Sequence, residues 1–192
     1  MEEATLVTAE RLAAECEHAG AIRALHRLRG DWRLEQGEWA LAAASYQEAV
    51  RLARERSLPD ADSETGLALA KHHLRQPADP QHPAELAESR HEAERLAQLR
   101  HPAHRRLAQL WLALGDPAQA KHHALAAYRW AWADGEPYVH RYELTKTTEL
   151  LQQMNVPIPT LPPYDPAKDE PLPWEPEVRA AIEKLRAEKA AK

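Results

Sequence analysis

Two tight turns, Gly37-Glu38 and Gly115-Asp116, stand 78 residues apart, and each is followed by an alanine five residues after its glycine (Ala42, Ala120) and another seven beyond that (Ala49, Ala127). This register constrains the fold more than any other feature. Ala42, Tyr46 and Ala49 form a small, large, small series at i, i+4 and i+7, which puts all three on one face of a helix. The helix before it, within LHRLRGDWRLEQ, offers Gly30 where two helices would touch, and small residues recur at Ala70, Ala108 and Thr145, at intervals of 40, 38 and 37 residues. One such helix pair cannot cover its own apolar face. The pairs must therefore stack on one another.

Composition agrees with helices alone. Alanine, leucine, glutamate and arginine dominate, glycine is held to 6 and phenylalanine is absent, so helix formers outnumber the residues that favour strands. The periodicity predicts about nine helices: Glu3 to Cys16 (with Leu6, Ala9, Leu12 and Ala13 inward), Ala21 to Gln36, Trp39 to Arg56, and a fourth capped by Asp62 or Ser63 that carries Leu67, Ala70 and Leu74 and ends before Pro77. The loop RQPADPQHP interrupts. A fifth helix follows over Ala84 to Leu99 with Leu86, Ala93, Leu96 and Ala97 inward, and a sixth opens at His101-Pro102 with Leu107, Ala108, Trp111 and Leu114. Asp116 as cap and Pro117 at the first position start the seventh, with Ala120, Ala124, Ala127 and Trp130 inward. The eighth is predicted from Tyr138 to Met154 with Leu144, Leu150 and Leu151. Residues 1–154 read as the array and 155–176 as a proline-rich strap. Residues 177–192 read as a capping helix with Val178, Ile182 and Leu185 on one face.

Several function classes lose support. The net charge of -5 comes from 30 acidic and 25 basic residues in mixed order, the pattern of solvated helix faces and not of a nucleic-acid patch. Cys16 is the only cysteine, so no intramolecular disulfide or thiolate metal cluster can form. No stretch of about 18 apolar residues occurs and the acidic N-terminus lacks a signal-peptide pattern, so no membrane association is expected and a cytoplasmic location is. A start inside an amphipathic helix predicts a chain cut from a longer protein.

The small positions and paired turns resemble the tetratricopeptide (TPR) repeat over about Ala21 to Met154, with the best match at Arg23 to Arg56 and His101 to Ala131. The middle unit departs, with Leu86, Arg90 and Ala93 where small, aromatic and small would stand. The units of 37 to 40 residues are longer than the usual length of about 34, and in this they resemble the sensor arrays at the C-terminal end of bacterial STAND-class signal-transduction ATPases. The segment AYRWAWADGEPYVHRYEL, with IPTLPPYDP and LPWE after it, resembles such array ends too. The resemblance implies a right-handed α-solenoid of antiparallel helix pairs. It also implies a concave groove that holds a protein or peptide, lined by Arg27, Asp31, Leu34 and Glu35, then Leu67, Lys71, Leu74 and Arg75, then Arg105, Gln109 and Leu112, then Tyr142, Lys146 and Glu149.

Other side chains carry alternatives. Tyr128, Trp130, Trp132 and Tyr138 form an aromatic cluster with Tyr142, and Trp130 and Trp132, two apart on a helix, cannot both face inward. One of them is expected under the strap, anchored by Leu161, Tyr164, Leu172 and Trp174, with a small-molecule site as the alternative. As polyproline, the 19 residues from Asn155 to Pro173 would reach about 60 Å, enough to tie the last helix back to the array. The eleven histidines, including His72-His73 and His122-His123, are read as surface residues, since adjacent helix positions diverge by about 100°. No metal or cofactor is expected, and no nucleophile motif, glycine-rich phosphate loop or HExxH pattern occurs, so an enzyme is not expected. A stand-alone adaptor, or a homodimer through the uncapped first helix, is the other reading.

Overall fold

The computed structural model describes residues 3–15, 18–75, 83–98, 103–168 and 173–190. Among these residues the chain is helical without a strand: α1 (Glu3–Glu15), α2 (Ala19–Glu35), α3 (Trp39–Glu55), α4 (Ala61–Arg75), α5 (Pro83–Ala97), α6 (His104–Ala113), α7 (Pro117–Trp132), α8 (Arg141–Gln153) and α9 (Glu175–Ala190). Helices α2 to α8 pack in chain order, and α2, α4 and α6 also touch in a second row, α2 on α4 and α4 on α6. This is the packing of stacked helical pairs. The expectations for Cys16, Pro77, Leu99, His101, Pro102 and Leu172 lie outside the described residues, as does that for the side chain of Leu6.

Local chemistry sets the helix ends. Asp116 accepts from the Gln119 amide at 3.0 Å with Pro117 in the first turn, as expected. The fourth helix is capped by Asp60 instead of Asp62 or Ser63, its carboxylate taking the Ser63 amide at 3.2 Å and the Ser63 hydroxyl at 3.0 Å. His18 caps α2 through Nδ1, which accepts from the Ala21 amide at 3.0 Å, and this draws Ala19 and Gly20 into the helix. Four helices end alike. A left-handed residue (Gly37, Ser57, Gly115, Asn155) lets the next amide donate back to the carbonyl of Arg33, Ala53, Trp111 or Leu151 at 2.9 to 3.0 Å.

The centre of the first pair is Tyr46, fully buried with Ala42 and Ala49 beside it. A methyl group at Gly30 would stand 2.7 Å from the Tyr46 ring, and one at Gly66 closer still. The ring is therefore gripped between α2 and α4 by two absent side chains. Leu34, Leu69, Ala70, Ala93, Leu110 and Trp111 continue this core, and Ala108, Ala124, Tyr128, Leu150 and Leu151 form a second one.

Several expectations need correction. Thr145 is exposed and Thr147 is the buried small residue of α8, two positions on. Leu12 and Leu86 are 48 and 40 % exposed, because α1 and α5 have thin contacts with their neighbours, and Leu74, in the last turn of α4, is 50 % exposed. The eighth helix starts at Arg141, since residues 133–140 fold as a turn in which the His140 amide donates to Ala131 O at 2.8 Å. Among the described residues nothing covers the apolar face of α9 that was expected to cap the array: Val178, Ile182 and Leu185 are 43, 43 and 64 % exposed.

Tyr46 cannot retreat from an added methyl because its hydroxyl is held by Asp31 at 2.6 Å. Gly66→Ala should therefore destabilise by about 1 to 3 kcal/mol by overpacking despite its gain in helix propensity. Ala42→Leu and Ala120→Leu should cost a similar amount, while Thr145→Ala and Arg27→Glu should stay within about 1 kcal/mol of the parent chain in urea denaturation.

Candidate functional site

The first helices of successive pairs, α2, α4, α6 and α8, bring their polar edges to one inner face. Arg23 pairs with Asp60 at 3.0 Å and Arg27 with Asp62 at 3.3 Å, joining α2 to the start of α4. Asp31 accepts from the Tyr46 hydroxyl at 2.6 Å and from Arg106 Nη2 at 2.7 Å, joining α2 to α6. Arg105 donates twice to Glu143, at 2.6 and 3.0 Å, joining α6 to α8. The Tyr142 hydroxyl then donates to Glu35 at 2.6 Å, 107 residues away in sequence, and the Arg105 guanidinium lies 5.8 Å from the Tyr142 ring centre. Separate pairs and clusters on this face thus join four helices.

Its electrostatics follow from enclosure. Burial opposes the Arg106 charge, and Asp31, Tyr46 and Glu35 outweigh it and raise its pKa. Burial raises the Tyr46 phenol, with Asp31 adding to it. The Tyr142 phenol is raised by desolvation and then by its bond to Glu35. Asp62 keeps 54 % of its side chain exposed, yet desolvation raises its carboxyl, Arg27 opposes, and Asp60, Asp31 and Glu143 raise it further. Carboxylates from three helices face one another across this surface.

Of the residues expected in the groove, Arg27, Asp31, Glu35, Arg105, Gln109 and Tyr142 come together here, Gln109 by accepting from Arg106 at 3.0 Å. Leu34 does not: at 5 % exposure it belongs to the core, one helix position away from Glu35. Leu112 is half-buried between the two core clusters. Arg105 and its neighbour Arg106 are both buried as ion-pair partners and are not open lining. Leu67 and Lys71 line a separate cleft with Arg75, whose guanidinium pairs with Glu88 at 2.8 Å. Lys146 and Glu149 pair with each other along α8. The sequence reading missed Asp62, Arg106, Glu143 and the Tyr46 hydroxyl. The available signal was a second arginine at a core register, between His104 and Leu107.

The aromatic residues divide. Tyr128 is in the second core. Trp130 is 58 % exposed and stacks on His140, ring centres 4.5 Å apart, so it does not face inward as expected. Trp132 is the one under the strap, its indole N–H donating to Pro162 O at 2.9 Å. Tyr138 meets Tyr164 edge to face at 4.8 Å, and Leu161 joins the second core. Gly135, at φ +91°, lets the strap pass: a methyl there would come within 2.7 Å of the Tyr164 backbone nitrogen. Trp174 is 54 % exposed and joins neither core cluster, so it is not an anchor among the described residues.

The histidines are not all on the surface. His72 is buried and His73 stacks on Trp39 at 4.2 Å. His123 is 4 % exposed, with its Nδ1 3.2 Å from His104 Nδ1. Burial first, then His104 and His122, lower the His123 pKa to about 4. Among the described residues no group of three His, Cys, Asp or Glu side chains is placed to hold a metal, and no helix is long and apolar enough to cross a membrane. Comparison with known proteins found no matching family model, no similar curated protein and no similar solved structure.

Two outcomes follow from this geometry. Asp31→Ala strands the buried Arg106 charge and should cost about 3 to 5 kcal/mol in urea denaturation, whereas Glu149→Ala, on an exposed pair, should cost less than about 1 kcal/mol. The lowered His123 pKa means that the unfolded chain binds the extra proton. Its contribution is fully present above about pH 6.5 and is lost as pH falls toward about 4. The burial-lowered His72, His73 and His104 act in the same direction. Thermal melts should fall through that window, and His123→Asn should flatten the fall.

Proposed function

We propose that this chain is a non-enzymatic TPR-like scaffold that recognises a protein or peptide on its inner face, as the ligand-sensing C-terminal part of a larger bacterial signalling ATPase. The supporting observation is the set of ion pairs and hydrogen bonds on the inner face, from Arg27–Asp62 to Tyr142–Glu35. Four helices separated widely in sequence contribute alternating charges to one surface, and its outer members, Arg27, Asp62 and Tyr142, remain 35 to 54 % exposed. Such partly exposed pairs exchange partners at little cost, so a segment with matching charges can replace them and gain register from the buried pairs beneath. The repeat spacing and the aromatic end segment support the placement in a signalling ATPase.

Selection from a displayed random-peptide library tests the recognition. Peptides enriched on the parent chain should lose binding by about tenfold or more to Asp62→Lys and Tyr142→Ala, while circular dichroism melts stay unchanged. Failure to enrich any sequence, or enrichment indifferent to both substitutions, would overturn this reading. The gene region upstream of Met1 tests the larger assignment, which requires a nucleotide-binding module there.

A further inference from the structure

Away from the inner face, α3, α4 and α5 line a cleft of about 330 Å³. Arg90 of α5, at the position that Tyr46 holds in the first pair, does not line it; its guanidinium donates to Leu114 O at 2.9 Å, at the end of α6. The size of the cleft falls at the lower end of small-molecule sites, roughly 300 to 1,000 Å³.

The floor is apolar, made by Val50, Leu67 and Ala68. The rim is charged and largely self-paired: Glu64 with Arg54 and Arg95, Glu92 with Arg95, and Glu88 with Arg75. Lining arginines and lysine number four against three glutamates, and the cation left over is Lys71. Lys71 forms no ion pair with a described residue and acts on Glu92 only at longer range. On the α5 wall Ser89 is 7 % exposed, and its hydroxyl bonds to no described residue. A lysine ammonium without an ion pair to a described residue and a serine hydroxyl without a hydrogen bond to one therefore share a cleft with an apolar floor.

We propose that this cleft binds a small amphipathic carboxylic acid. The carboxylate takes Lys71 Nζ and Ser89 Oγ, a charge-assisted arrangement that satisfies both groups, and a short hydrocarbon body lies on Val50, Leu67 and Ala68. The rim pairs are exposed enough to part for entry. A neutral or cationic head group would leave Lys71 unneutralised, so the head charge decides the selectivity.

Octanoate is the probe, titrated into the full chain by calorimetry and by amide chemical shifts, with 1-octanol, octylammonium and acetate as comparisons. Octanoate should bind saturably and shift the amides of residues 67–72 and Ser89, and the three comparison compounds should not. Lys71→Gln should weaken octanoate about tenfold and Lys71→Arg should retain it. Lys71 is exposed and forms no ion pair with a described residue, so both variants should fold, which a circular dichroism melt checks. Equal binding of 1-octanol or octylammonium, an octanoate affinity unchanged in Lys71→Gln, or no saturable binding at millimolar octanoate would each overturn the proposal.

Discussion

The wedging of Tyr46 between Gly30 and Gly66 is the constraint on which the rest depends. It sets how near α2 and α4 can approach, because the ring fills the space two side chains leave vacant. It also ends in a hydroxyl that reaches Asp31, and Asp31 in turn holds Arg106. One side chain thus couples the packing of the first pair to the polar inner surface of the third. Apolar contact makes the site rigid, and the hydrogen bond decides which arginine occupies it.

The inner surface carries two kinds of ion pair with different energetic meanings. Arg106 and Arg105 are nearly inaccessible, and their carboxylates exist there to make burial tolerable; such pairs add little net stability but are costly to break. Arg27–Asp62 is open to water and contributes little. Fixed pairs below and exchangeable pairs above form a surface that holds its shape while its outermost contacts can be replaced. The strap works on another edge, where the Trp132 indole, Gly135 and Tyr138 seat Pro162 to Tyr164.

Much of the fold was legible because side-chain size at helical period is a local code. Ala42, Tyr46 and Ala49 announce a contact whatever lies opposite, and Asp116-Pro117 and the glycines at 37 and 115 announce helix ends. Ser57 and Asn155 end helices in the same left-handed geometry, but neither residue type demands it, so those ends carried no signal. The site was less legible because it depends on angles of one residue. Leu34 and Glu35 are neighbours, and only the partner helices decide that the first is core and the second pairs with Tyr142. The amphipathic face of α9 shows the opposite limit: a period of apolar residues says that a face wants cover, not that its own chain supplies it.

The bond from Tyr142 to Glu35 has an evolutionary corollary. Solenoids in which each unit meets only its neighbours can gain or lose a unit by duplication or deletion, with little harm to the others. Here the Tyr142 side chain of the eighth helix reaches Glu35 of the second, and an extra pair inserted between them would part Arg105 from Glu143 or Tyr142 from Glu35. Variation in such a lineage should therefore accumulate at the two ends and in the middle pair's outer wall, while the span from the second to the eighth helix is inherited as a block.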